Sequence, residues 1–155
     1  MEELKIKRSE TTDETEKKNL DKLIKKEETN LVNQELAVAP VYQKANAAEI
    51  ESNKIKLVNR KEEADIKNIP SNDPLNMRAM ELERKAEEEF TTAATLRQQA
   101  ENEKDKTKKN DLLKQANERE QNGIRYQLEA DRTFNMMLEE FSITANKEIW
   151  KIGLL

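Results

Sequence analysis

The chain has 155 residues, and 39% of them are charged, with 28 basic and 32 acidic side chains leaving a net charge of −4. It contains no cysteine and no histidine, which excludes a disulfide framework, a Cys or His metal site and a Ser-His or Cys-His nucleophile pair. With 2 glycines and 3 prolines it is also poor in turn formers, which argues against a sheet-rich fold. Charges of both signs, interleaved with helical apolar spacing, instead predict solvated helices that meet along narrow seams.

The first half of the chain predicts a flexible N-terminus over residues 1–11 and then a helical hairpin over residues 12–67, with its turn near Pro40. The two helices of this hairpin run from about Thr12 to Leu36 and from Val41 to Lys67. The segment from Thr11 to Glu14 fits a capping box at the start of the first helix.

The turn near Pro40 depends on apolar residues that face each other when the chain folds back there. These pairs are Leu23 with Val58, Ile24 with Leu57, and Leu31 with Ile50. Ile24, Leu31 and Val38 also recur at a spacing of seven, as do Ile50, Leu57 and Ala64. One long helix kinked at Pro40 is the alternative, because proline removes one helical hydrogen bond without always ending the helix.

Residues 68–73 form the predicted linker, and residues 74–146 a second, longer hairpin. Asp73 suits the N-cap of its first helix, and Pro74 suits the first helical position, where a missing N–H costs nothing. That helix runs to about Glu103. After the polar stretch around Lys108, the next helix runs from about Thr107 to Asn146.

Small residues mark the seam of the second hairpin. The two series, each with a spacing of seven, are Ala79, Ala86, Ala93 and Ala100, then Ala116, Gly123, Ala130 and Met137. They pair around a centre at Lys108, and so do Leu82 with Phe134 and Leu75 with Phe141. Small residues opposite small ones let two helices approach closely, and a repeat of seven favours left-handed supercoiling. At the other end of the seam, Phe134, Met137 and Phe141 are expected to make room for another element.

These patterns predict an all-α fold: an elongated, antiparallel, coiled-coil-like helical bundle of two long helical hairpins, hence four helices. Residues 147–155 form an apolar C-terminal tail. The start of the chain lacks the apolar run of a signal peptide, and its longest apolar stretch is far shorter than the roughly 20 residues that span a bilayer. We therefore expect a soluble chain, in a compartment that the sequence does not indicate.

No catalytic, cofactor or metal site is predicted. Runs of carboxylates such as Glu87 to Glu89 are typical of solvated helix faces, and the chain has no glycine-rich phosphate loop. The basic segment from Lys104 to Lys109 is typical of a solvated turn, and the acidic pI of about 5.2 argues against nucleic-acid binding. We expect no enzyme activity and no small-molecule substrate.

The apolar surplus near the C-terminus suggests a contact with a protein partner or with a second copy. The candidate contact residues are Phe134, Met137, Leu138, Phe141, Ile149, Trp150, Ile152, Leu154 and Leu155. Packing of this segment on its own bundle is the alternative. The sequence thus favours a non-catalytic structural or scaffolding module that binds other proteins, as part of a larger assembly. A membrane-acting or secreted helical effector is the second candidate, although few basic residues accompany the apolar ones.

The seam of the second hairpin can be tested by overpacking it. Ala93→Leu or Gly123→Leu is expected to lower the free energy of unfolding by about 1–3 kcal/mol, because a well-packed seam has no space for the added methylenes. Thermal melts measure the change, and neutral behaviour of both variants would contradict the proposed pairing.

Overall fold

The computed structural model describes the backbone of residues 1–153 and the side chains of residues 1–142. Within these residues the chain forms four helices and no strand: α1 (Glu2–Glu10), α2 (Glu14–Ile66), α3 (Pro74–Asn102) and α4 (Lys106–Gly153). The prediction of an all-α, four-helix chain is confirmed. The division of the first half into helices is different from the one predicted.

Residues 14–66 form one continuous helix, so the predicted hairpin with a turn near Pro40 is wrong and the alternative of a single long helix is right. At about 1.5 Å per residue, these 53 residues make a rod of roughly 80 Å. Leu31 and Ile50 therefore lie far apart on one helix instead of facing each other. Leu23, Leu31 and Val58, three of the residues expected in that seam, are about half exposed.

Contacts with α4 on both sides of Pro40 hold α2 in one piece. Before the proline, Asn33 accepts a hydrogen bond from Lys106, and after it Asn46 donates to Asn117. These partners are 73 and 71 positions apart, so α2 and α4 run parallel in one register across the proline. A proline inside a helix costs about 3 kcal/mol, and packing against α4 offsets that cost. No glycine or other turn former stands beside Pro40 to favour a turn instead.

The N-terminus is also more ordered than predicted. Residues 2–10 form α1, which folds back so that the Arg8 Nε lies 2.7 Å from a carboxylate oxygen of Asp21. Asp13, not Thr11, caps α2 by accepting a hydrogen bond from the Thr15 N–H. The prediction of a flexible segment over residues 1–11 missed this contact, because it joins residues distant in the sequence.

The first residues of the linker cap the C-terminal end of α2. The N–H groups of Asn68 and Ile69 reach back to the carbonyls of Asp65 and Ala64, the pattern of a Schellman motif. Asn68 has a φ of 57°, a left-handed conformation that asparagine tolerates better than most residues. Ile69 then turns into the core, so the linker contributes apolar packing as well as a reversal of direction.

The α3–α4 hairpin is close to its prediction. Asp73 accepts hydrogen bonds from the N–H groups of Leu75 and Asn76, and Pro74 is the first helical residue. The connection is shorter than expected and comprises only residues 103–105. Asp105 caps α4 through the Thr107 and Lys108 N–H groups, which places Lys108 in the first turn of α4 and not at the turn of the hairpin.

The small residues form the seam between α3 and α4, as the heptad spacing predicts. Those with at most 1% exposure are Ala79, Ala86, Ala93, Ala100, Ala116 and Ala130. Gly123 has a more specific reason than the expected contact with Ala93, since a Cβ at this position would overlap the ring of Phe90. Glycine is therefore needed where an aromatic ring from α3 lies directly on α4.

The large apolar residues of α4 gather at the other end of the seam, where they meet a third helix. Phe134 and Met137 are fully buried against Leu57 and Ala64 of α2 and against Ile69 of the linker. This confirms the expected space for another element. The helices α2, α3 and α4 thus form a bundle in which α3 is antiparallel to both neighbours.

The continuous helix can be tested at Pro40, which is exposed. Pro40→Ala is expected to raise the free energy of unfolding by about 1–3 kcal/mol, because it restores a helical hydrogen bond and removes the ring clash with the preceding turn. Urea denaturation measures the change.

The matched control is Ala47→Pro, at an exposed position of the same helix, which is expected to cost about 3 kcal/mol or more. Were residue 40 in a turn, Pro40→Ala would leave stability unchanged or lower it, and that result would contradict the continuous helix.

Candidate interaction surface

The predicted C-terminal contact residues divide into two groups. Phe134 and Met137 are 0% exposed and Leu138 is 5% exposed, so these three residues are core and not a surface for a partner. Phe141 is partly buried and packs against the same core. For these four residues the burial agrees with the alternative interpretation, in which the segment packs on its own bundle. The remaining candidates lie outside the residues whose side chains the structure describes: Ile149, Trp150, Ile152, Leu154 and Leu155.

A polar network joins all three bundle helices at Asn46 of α2. The buried Asn46 amide donates to Asn117 at 2.8 Å and to the Glu120 carboxylate at 3.0 Å, and accepts from Gln121 at 2.7 Å. Glu120 also receives two hydrogen bonds from Arg97 of α3, one of them at 3.0 Å. Arg97 and Glu120 are only 11% and 12% exposed, so this bidentate ion pair is nearly dry.

Further polar pairs continue along the boundary between α2 and α4. Buried Asn53 donates to Gln127 at 3.2 Å, and Arg60 contacts Asp131 at 3.3 Å. Polar partners at fixed positions specify one register, because a shift of either helix would leave buried donors and acceptors unpaired.

Near the other end of this boundary, Glu35 accepts hydrogen bonds from Lys114 at 2.8 Å and from Asn110. The Lys114 ammonium, followed by the Asn110 amide, holds the pKa of the Glu35 carboxyl below its ordinary value. Glu35 is therefore ionised at neutral pH and acts as a fixed acceptor for α4 on the N-terminal side of Pro40.

Ion pairs connect α2 to α3. Lys61 binds Glu83, and Lys54 lies 3.6 Å from Glu87 and 5.8 Å from the centre of the Phe90 ring. Glu87 and Glu88 are exposed, as the prediction of a solvated face requires, and each carboxylate of the run from Glu87 to Glu89 also has a cationic partner. Glu87 contacts Lys54, Glu88 contacts Arg84, and Glu89 contacts Arg119.

The side of α2 that these contacts leave open carries an exposed stripe of apolar and small residues, and its first member, Val38, also borders a cleft with Asn117 of α4. This outer stripe consists of Val38, Val41, Ala45, Ala48, Ser52 and Ile55. Val38, Val41 and Ile55 are 45%, 67% and 56% exposed, respectively. The members alternate at spacings of three and four, the a and d positions of a heptad, which place them in one line along a helix.

The sequence contained a signal for this surface, but the predicted hairpin concealed it. Val38 was assigned to the seam of that hairpin, and a turn near Pro40 would have placed Val41 on a different helix. With α2 continuous, the spacing of three and four runs through both residues. The amino-acid composition of the chain does not indicate this surface, because the residues of the outer stripe are no more apolar than those in the core.

Other kinds of site find no support in the part of the chain that the structure describes. There, no three or more acidic residues come together in a way that could hold a metal ion. None of the helices searched is both long enough and apolar enough to cross a membrane. Comparison with protein-family models, with curated proteins and with solved structures found no match.

The hydrogen bond between Asn53 and Gln127 predicts that substitutions of these two residues have non-additive effects on the free energy of unfolding. Asn53→Ala is expected to lower the free energy of unfolding by about 1–3 kcal/mol, because it leaves the Gln127 carbonyl buried without its donor. In the double variant Asn53→Leu/Gln127→Leu both polar groups are gone, so its cost should be smaller than the sum of the two single leucine variants.

Urea denaturation of the four variants measures the coupling. Lys22→Ala, at an exposed position of the same helix, is the control and should change stability by less than about 0.5 kcal/mol. Strict additivity of the two leucine substitutions would show that the pair does not couple α2 to α4.

Proposed function

We propose that this protein is a non-catalytic scaffolding module that binds another α-helix along the outer stripe of α2. The observation that carries the proposal is the exposed a/d stripe on a helix whose other side is tied to α3 and α4. The proposal keeps the interaction role that the sequence favours. It moves the contact surface to α2, because Phe134, Met137 and Leu138 are buried.

The chemistry of the stripe suits a helical partner. From Val38 to Ile55 it extends over about 26 Å of helix, and none of its six members is charged. Alternate spacings of three and four match the seam that a second helix offers, with its own apolar residues packing between them. An apolar stripe with a charged rim on a surface helix is typical of an interaction site.

The rest of the protein supports such a role by holding α2 in place with its outer stripe exposed. The Asn46 network and the Asn53–Gln127 bond hold its inner face on α4, and Lys54 and Lys61 hold it to α3. A helix fixed in this way loses little conformational freedom when a partner binds, which favours affinity. A second contact through the C-terminal residues stays a prediction: Ile149, Trp150, Ile152, Leu154 and Leu155.

Photocrosslinking in cells of the native source tests the proposal. A benzoylphenylalanine side chain in place of Val41 is expected to form a covalent adduct, because a bound helix lies within reach of this position. Mass spectrometry of the adduct should identify a helical segment with apolar residues at spacings of three and four.

The control places the same photoreactive side chain at Ala47, which is exposed on another side of the same helix. It should give little or no adduct. Equal yields at both positions, or no adduct at Val41, would mean that the outer stripe binds no helix.

A further inference from the structure

We infer that the helix bound by the outer stripe is α2 of a second copy of this chain, packed antiparallel about a two-fold axis between Ala45 and Ala48. The inference rests on the proposed function, to which it adds the identity and direction of the partner. Its support is that the stripe is complementary to its own reverse in size, polarity and charge. A two-fold interface requires this property, because each contact must occur twice.

The layers of the reversed stripe match in size. In an antiparallel pair, an a position of one helix faces a d position of the other. The resulting layers are Ala45 with Ala48 of the second copy, Val41 with its Ser52, and Val38 with its Ile55. The smallest residues meet at the centre and the largest at both ends, so the two backbones approach most closely at the axis.

The ends of the stripe match in polarity. Beyond Val38 and Ile55, the next residues in the same spacing are Gln34 and Asn59, and both are exposed. The antiparallel register places Gln34 of one copy beside Asn59 of the other, so that amide meets amide at each end. Paired amides at these positions favour this register, because another register would place an amide against an apolar residue.

The rim of the stripe matches in charge. Lys44 and Glu51 flank it on one side, and both are exposed. Within the part of the chain whose side chains are described, neither has an ion-pair partner. The antiparallel register places Lys44 of each copy beside Glu51 of the other, giving two equivalent ion pairs. On the opposite rim, Tyr42 falls beside Glu49 of the second copy, where its hydroxyl can donate to a carboxylate.

A parallel pair is less favourable for two physical reasons. The spacing of the stripe continues to Glu62, and a parallel arrangement would place this carboxylate against Glu62 of the second copy. Parallel helices also align their dipoles unfavourably, whereas antiparallel helices align them favourably. In the antiparallel pair the second copy lies on the side of α2 opposite Asn46, Asn53 and Lys61, which contact α4 and α3. At one end it also borders the cleft that Val38 and Tyr42 form with Asn117 of α4.

Sedimentation equilibrium of the purified full chain is the first test. The expected species is a dimer, with twice the chain mass of 18.1 kDa, and Ala48→Glu should convert it to a monomer. Lys44→Glu should raise the dimer Kd roughly tenfold, because it places two carboxylates together at each of the two equivalent contacts with Glu51. The double variant Lys44→Glu/Glu51→Lys should restore the original Kd. Lys22→Glu, an exposed charge reversal away from the stripe, is the control.

Engineered cysteines give the direction of the pair, since the natural chain has none. Val38→Cys and Ile55→Cys should each stay uncrosslinked alone under mild oxidation and form a disulfide-linked dimer when mixed. Circular dichroism confirms that every variant keeps its helical content, so that a loss of dimer is not a loss of fold.

The outcomes separate the inference from the proposed function. Crosslinking of either cysteine variant alone shows a parallel pair and overturns the inference. A chain that stays monomeric up to about 1 mM also overturns it. In both cases an adduct of the Val41 photocrosslinker with a helix, from a parallel copy or from another protein, would leave the proposed function standing. Absence of any adduct at Val41 would remove both.

Discussion

The close approach of α3 and α4 is the constraint on which the rest of the fold depends. Their seam consists almost entirely of alanine, together with Gly123 beneath the Phe90 ring. Small side chains bring two helices together, but they bury little apolar area per residue, so this pair needs more contact elsewhere. The additional contact comes at the end of the seam where Phe134 and Met137 meet Leu57 and Ala64 of α2.

Away from that end, α2 packs against the hairpin mainly through polar side chains. In a conventional bundle apolar residues would occupy the positions between these helices. Here they are occupied by Asn46, Asn53 and the Arg97–Glu120 pair. Hydrogen bonds of this kind contribute modestly to stability, but they penalise any other register strongly. The arrangement holds α2 in one orientation and leaves the opposite side free to carry an apolar stripe.

The accuracy of prediction differed between the two halves for a physical reason. The α3–α4 hairpin could be predicted because its signals are local or periodic: the Asp73–Pro74 start and the alanine heptads specify helix and seam together. In the first half the strongest local signal was Pro40, which disfavours a helix without prohibiting one. Whether the helix continues depends on Asn33 and Asn46 finding partners on α4, which lie more than 70 positions away. The same limit applied to the predicted contact residues. Apolar spacing identified Phe134 and Met137 as packing residues, but spacing alone does not say whether they pack in the core or against a partner.

The sequence by itself determined the fold class, the ends of α3 and the residues of its seam with α4, because composition, caps and heptad spacing act through neighbours along the chain. It also excluded cysteine and histidine chemistry, since those side chains are absent from all 155 residues. Only the tertiary structure decided that α2 passes through Pro40, that α1 folds back, and which apolar stripe is left uncovered. Those outcomes depend on contacts between distant segments, where packing and buried polar pairs outweigh local preference.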